Sequence, residues 1–167
     1  MKYGTALLLS AEMMLASLSA ANTGTPDTLI QAHNQRCGKP VFYAQTANHK
    51  KEVEICITTP SVSYSFGKTG VADKEMDITI PTHDASYAYQ SNQVISIQTF
   101  TVRNGNTTYQ IAAGTNDDGQ PFASLEVYKG TPESGKQLAE IKLAPNTVVN
   151  NISHALAEDG VAESDTL

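Results

Sequence analysis

Apolar and polar residues alternate with a period of two along most of this chain. Over 52–58, Val53, Ile55 and Ile57 point one way, while Glu52, Glu54, Cys56 and Thr58 point the other. That is the signature of a strand buried on one face. The same alternation sets Val62, Tyr64 and Phe66 against Ser61, Ser63 and Ser65, and Met76, Ile78 and Ile80 against Asp77 and Thr79. A longer run, 94–103, is apolar on both sides, as in a central or bent strand. Asn104-Gly105 then predicts a type I′ hairpin turn, and Tyr109, Ile111 and Ala113 continue on the return strand. A second turn at 116–119 leads to a strand bearing Ala123, Leu125 and Val127, and 138–143 alternates again. With 41–45 as the first strand, the pattern predicts an all-β domain: an antiparallel sandwich or a small barrel.

Helical signals are confined to the ends. In 22–35, Thr25-Pro26-Asp27 resembles a cap with proline at the first helical position, and Leu29, Ile30 and His33 would share a face. Val148, Val149, Ile152 and Leu156 fall near helical spacing and predict a short terminal helix. The acidic stretch 158–167 lacks periodicity and reads as a flexible tail.

The first 20 residues stand outside the domain. Lys2 precedes an apolar run, 6–18, broken by Glu12, and Ser19-Ala20-Ala21 supplies small residues for cleavage. This is a secretory signal pattern, leaving 21–157 as one domain before the tail. No later run reaches the ~20 apolar residues of a membrane helix. The net charge is −6, and losing Lys2 and Glu12 with the leader leaves it unchanged. An acidic domain repels a phosphate backbone, so nucleic acid is not an expected partner. A periplasmic or extracellular location is expected.

Export gives the two cysteines a meaning. Cys37 and Cys56 are expected to form one disulfide, worth ~3 kcal/mol by loop closure. A metal site using His33, Cys37, Cys56 and His49 lacks the paired local spacing that gathers ligands. In a regular hairpin, directly opposed cysteines would centre the turn between Thr46 and Ala47. Asn48-His49 are better turn residues, so a bulge or crossing near Gly38-Lys39-Pro40 is expected instead. Alternation puts Cys56 on the glutamate side, making the disulfide an external staple.

Familiar catalytic motifs fail on spacing. Gly67-Lys68-Thr69 lacks the earlier glycine and the following helix of a phosphate loop. Around Asn116-Asp117-Asp118-Gly119, a calcium loop would need acids where Gly114 and Leu125 stand. His83-Asp84 with Ser86 cannot form a relay between sequence neighbours, and no G-x-S-x-G elbow is present. The carboxylates of Glu52 and Glu54, and of Asp73, Glu75 and Asp77, fall on alternating positions, as on a solvated face. No catalytic residue, metal ligand or cofactor is predicted. What remains is 81–93, PTHDASYAYQSNQ, a polar connection with the composition of a protein-binding loop. His83, Asp84, Tyr87 and Tyr89, with Asn116, Asp117 and Asp118 of the next turn, are the candidate contact residues.

Cys37 and Cys56, followed by Tyr64-Ser65-Phe66-Gly67 and then Glu75, resemble a group of small exported proteins of Gram-negative bacteria with a cysteine pair and a Y-x-F-G motif. The resemblance implies an exported β-rich domain and carries no catalytic residues. Size and layout are also similar to periplasmic inhibitor and immunity proteins, although the S-G-x-x-Y signature of lysozyme inhibitors is missing. The expected function is a non-enzymatic binding protein whose partner is another protein. An enzyme whose site assembles only in the fold, or a structural part of an envelope assembly, are the alternatives.

Overall fold

The computed structural model describes residues 28, 31, 35 and 37–167, of which Thr28, Gln31 and Gln35 are helical. The secretory leader at 1–20, the cap at 25–27 and the face of Leu29, Ile30 and His33 lie outside the described residues.

The alternating segments form strands and sort into two sheets. In chain order they are β1 (Lys39–Gln45), β2 (Lys51–Thr58), β3 (Ser61–Lys68), β4 (Met76–Pro81), β5 (Ala85–Ser91), β6 (Ser96–Asn104), β7 (Thr107–Thr115), β8 (Pro121–Lys129), β9 (Lys136–Lys142), β10 (Val149–Asn150) and β11 (Ala162–Glu163). One sheet runs β10-β1-β2-β3-β4 and the other β11-β5-β6-β7-β8-β9. Every pairing is antiparallel except β11 beside β5. This is a sandwich. A single bridge, Thr46 to Leu143, ties the sheets at one edge without closing a barrel.

The core is where the two inner faces meet. Val53, Ile55, Val62 and Tyr64 come from the five-stranded sheet, and Tyr87, Phe100, Ile111 and Leu125 from the six-stranded one. Cross-strand register aligns them: Ile55 opposes Tyr64, and Phe100 opposes both Tyr87 and Ile111. The rings of Tyr64 and Tyr109 meet between the sheets at 4.9 Å. Burying one side chain of this size contributes ~1.5–3 kcal/mol, so the paired apolar rows are the main stabilising feature.

The β1–β2 hairpin turns around Asn48 and His49, and its register slips between Pro40 and Phe42. Val41 is thus the bulge residue. Cys37 and Cys56 are joined, and the slip is what lets the cysteines approach while the turn stays at Asn48-His49.

Several expectations change. The stretch 81–93 is not a long connection, since a 3-10 turn, Thr82–Asp84, leads straight into β5. Its Ser, Tyr and Gln residues masked a strand because only part of β5 faces the core. The hairpin turn after β6 is Gly105-Asn106, one residue later than the Asn-Gly motif suggests. Gly105 alone carries a positive φ there (60°), as a type II′ turn requires. The predicted terminal helix divides into β10 and a 3-10 segment, His154–Asp159. Ile152 and Leu156 are buried, so their spacing reported burial correctly and helix type incorrectly.

The acidic end carries structure that no periodicity announces. Val161 is buried, β11 follows it, and Ser164 N–H donates to Tyr87 O at 2.7 Å.

Candidate functional site

Three places gather chemistry-bearing side chains: the outer face of the five-stranded sheet and the two ends of the six-stranded one. The first is structural. Cys56 shares the outer face of β2 with Glu52 and Glu54, as alternation requires. The carboxylates, however, do not form a solvated row. The side chains of Glu52 and Lys74 are only 2 % and 4 % exposed, and Lys74 Nζ donates to Glu52 Oε1 at 2.5 Å. Tyr43 OH donates to Glu52 Oε2 at 2.7 Å, and Gly70 N–H to Oε1 at 3.2 Å. Lys74 also donates to Val71 O at 2.6 Å and Lys68 O at 3.2 Å. The chain continues outward through Gln45 Nε2, which donates to Tyr43 OH, to His49 beside Gln45 Oε1.

Gly67 explains why this pair is covered. It opposes Glu52 across the ladder, and a Cβ there would lie 2.8 Å from Glu75 N and 3.1 Å from Lys74 Cα. With no side chain at 67, residues 70–75 fold down and deliver Lys74 to Glu52. Alternation alone cannot reveal this, because the cover comes from a loop. With every polar atom engaged, the pair reads as a clamp on that loop.

The second place is the end where β5 meets β6 and β7 meets β8. Ser96 opposes Thr115, so these two turns are neighbours. Their close approach depends on Gly114, where a Cβ would stand 1.8 Å from Ser96 O. Asn92 Oδ1 accepts the N–H groups of Val94 and Ile95 at 2.8 and 2.7 Å. Asn116 Oδ1 accepts those of Asp118 and Gln120 at 3.1 and 2.9 Å. Both turns are therefore pre-shaped by asparagine caps. Tyr89 is 44 % and Val94 58 % exposed. The Tyr89 ring lies edge-on to His154 at 6.0 Å, and His154 Nδ1 is 3.2 Å from Glu163 Oε2. Asp117 and Asp118 stand exposed in the β7–β8 turn.

The third place is a cleft of about 290 Å³ at the opposite end, lined by His83, Asp84, Arg103, Thr131 and Glu133 among others. The predicted contact residues are thus divided. His83 and Asp84 line the cleft, Asn116, Asp117 and Asp118 lie in the β7–β8 turn at the far end, and Tyr87 and Tyr89 both present their rings to His154. Tyr87 is 2 % exposed and sits in the core, because the strand around it turns its side chain inward. Val94, Arg103, Glu133, Lys74 and Glu163 were missed by sequence reasoning, for they acquire meaning only through partners distant in the chain. Among the described residues no three His, Cys, Asp or Glu side chains are placed to hold a metal ion, and none of the helices is long and apolar enough to cross a membrane. Family models, curated proteins and solved structures give no match to this chain.

Several phenols hold their protons tightly. Burial raises the pKa values of Tyr43, Tyr64 and Tyr87. Tyr128 is pushed up to about 12, by desolvation first and then by its hydrogen bond to Glu126. An unfolded chain ionises its tyrosines near pH 10, so above that pH the native state retains the extra protons. Stability is full below pH 10 and falls as pH rises toward 12. In a base titration, phenolate absorbance from the buried tyrosines is expected to appear together with loss of the β circular-dichroism signal. Phenolate absorbance complete near pH 10 in a still-folded protein would contradict it.

Proposed function

We propose that this chain is an exported, non-enzymatic binding protein that engages another protein, in the form of an inhibitor or immunity factor for a cell-wall hydrolase. The observation that carries the reading is the paired-turn end of the six-stranded sheet. Tyr89 near the end of β5 and Val94 on a capped turn offer exposed apolar surface, and the neighbouring capped turn carries the negative charges of Asp117 and Asp118. Interface centres are enriched in tyrosine and ringed by polar groups, and rigid turns lose little entropy on docking. The acidic edge and the net charge of −6 suit a basic partner. Export is supported by the Cys37–Cys56 disulfide and by the leader pattern at 1–20.

The geometry lends the enzyme reading no comparable support. His83 Nε2 lies 3.8 Å from Asp84 and His154 Nδ1 3.2 Å from Glu163, but both carboxylates are solvent-exposed.

The test is a photo-crosslinking residue in place of Gln93, used in cells that export the protein. A discrete crosslinked partner is expected, and adding Tyr89→Ala with Val94→Asp should weaken its capture by about tenfold or more. Retention of every partner by the triple variant would remove this surface from the function.

A further inference from the structure

The cleft at the opposite end is a different kind of surface. Its floor is built on strands: Ser86 opposes Thr101, and Arg103 opposes Thr108, so all four side chains share the outer face of β5, β6 and β7. One wall is the connection 130–135, which is tied down at several points. Thr108 Oγ1 donates to Gly130 O at 2.5 Å, Gly130 N–H to Asn106 O at 2.8 Å, and Gly135 N–H to Thr131 O at 2.6 Å. A site on rigid strands with a fixed wall is pre-organised for a ligand.

Its charges are arranged without cancelling. The Arg103 side chain is exposed and makes no hydrogen bond or ion pair among the described residues. Glu133 lines the same cleft from a separate element, and no ion pair joins the two. Its own backbone N–H and then Thr131 hold the Glu133 carboxyl below the usual range, so it is ionised at neutral pH. Asp84 adds a second negative charge at the rim.

These features select a ligand class. A simple anion would meet Arg103 but also Glu133 and Asp84, and a simple cation would meet Arg103. Only a molecule bearing both charges satisfies the floor and the wall at once. A volume of about 290 Å³ is at the small end for ligand clefts and admits an amino acid or a dipeptide. We propose that this cleft binds a small zwitterion, an amino acid or dipeptide with free ends, its carboxylate on Arg103 and its ammonium group on Glu133. Arginine is suited to the first role because its planar fork matches a carboxylate with two parallel hydrogen bonds. The Ser86 hydroxyl, and the O–H of Thr101, whose oxygen accepts from Gln110 Nε2 at 3.2 Å, can then reach the peptide's remaining polar atoms.

Isotope-labelled protein titrated with alanylalanine, followed by amide NMR shifts, tests this. Saturable shifts are expected around 101–108 and 130–135. N-acetyl-alanylalanine and alanylalanine amide should each bind about tenfold more weakly or worse, since each lacks one charge-assisted contact. Arg103→Gln should abolish the preference for the free acid over the amide, and Glu133→Gln the preference for the free amine over the acetylated form. Both side chains are surface groups, so spectra of the variants should keep native dispersion. No shifts at the cleft with alanylalanine, or equal binding of free and blocked peptides, would overturn the proposal. Binding to both variants with unchanged preference would do the same.

Discussion

Lys74→Met is expected to lower the free energy of unfolding by ~3–5 kcal/mol, the range for removing one partner from a buried ion pair. The reason lies in what is left behind. Glu52 would keep the hydrogen bonds from Tyr43 and Gly70 but lose the cation that pairs with it among the described residues, and a buried uncompensated carboxylate is costly. The double variant Lys74→Met with Glu52→Gln should recover part of the loss, because an amide at 52 needs no counter-charge and can still accept from Tyr43. Urea unfolding of the wild type, both single variants and the double variant measures the coupling directly. A Lys74→Met midpoint equal to wild type would mean that the pair is hydrated in solution. Recovery in the double variant separates the charge effect from simple loss of packing by the lysine stem.

Replacing Cys37 and Cys56 together by alanine should cost ~3 kcal/mol, from the freedom regained by the unfolded loop. The bond spans 19 residues of sequence separation and staples the bulged start of β1 to β2. Cys56 lies four residues along β2 from Glu52, ~13 Å away at strand rise, so the two losses should add within a few tenths of a kcal/mol. Removing the disulfide and Lys74 together would then cost ~6–8 kcal/mol, comparable to the 5–15 kcal/mol typical of a domain. A combined variant as stable as either parent would show that the disulfide and the clamp hold the same opening motion in check. Reduction of the wild-type protein should reproduce the Cys37→Ala, Cys56→Ala midpoint.

Much of the architecture was legible because it rests on periodicity. Val53, Ile55 and Ile57 face inward as their spacing demands, and the same rule places Cys56 outside. The bulge could be anticipated from a conflict between two local signals, the turn residues at 48–49 and the cysteine spacing. Signals failed where cover came from elsewhere in the chain. Glu52 and Glu54 alternate like solvated residues, yet both are buried; for Glu52 the cover includes a loop that could settle only over a glycine. Tyr87 looked like its neighbour Tyr89, and only the extent of the facing sheet separates a core ring from an exposed one. The cleft was half visible. His83 and Asp84 could be singled out, but Arg103 reads as one more polar end to a strand until β5, β7 and the 130–135 connection are assembled around it.

Gly67 has a consequence for how sequences of this pattern can vary. A side chain at that position would strike the backbone at Lys74 and Glu75 and push the lysine away from Glu52. The glycine at 67, the acid opposite it and the lysine seven residues later are thus structurally interdependent. Keeping the glycine but replacing the acid alone would bury a cation with no counter-charge. Gly67 is then the visible third of a three-residue constraint.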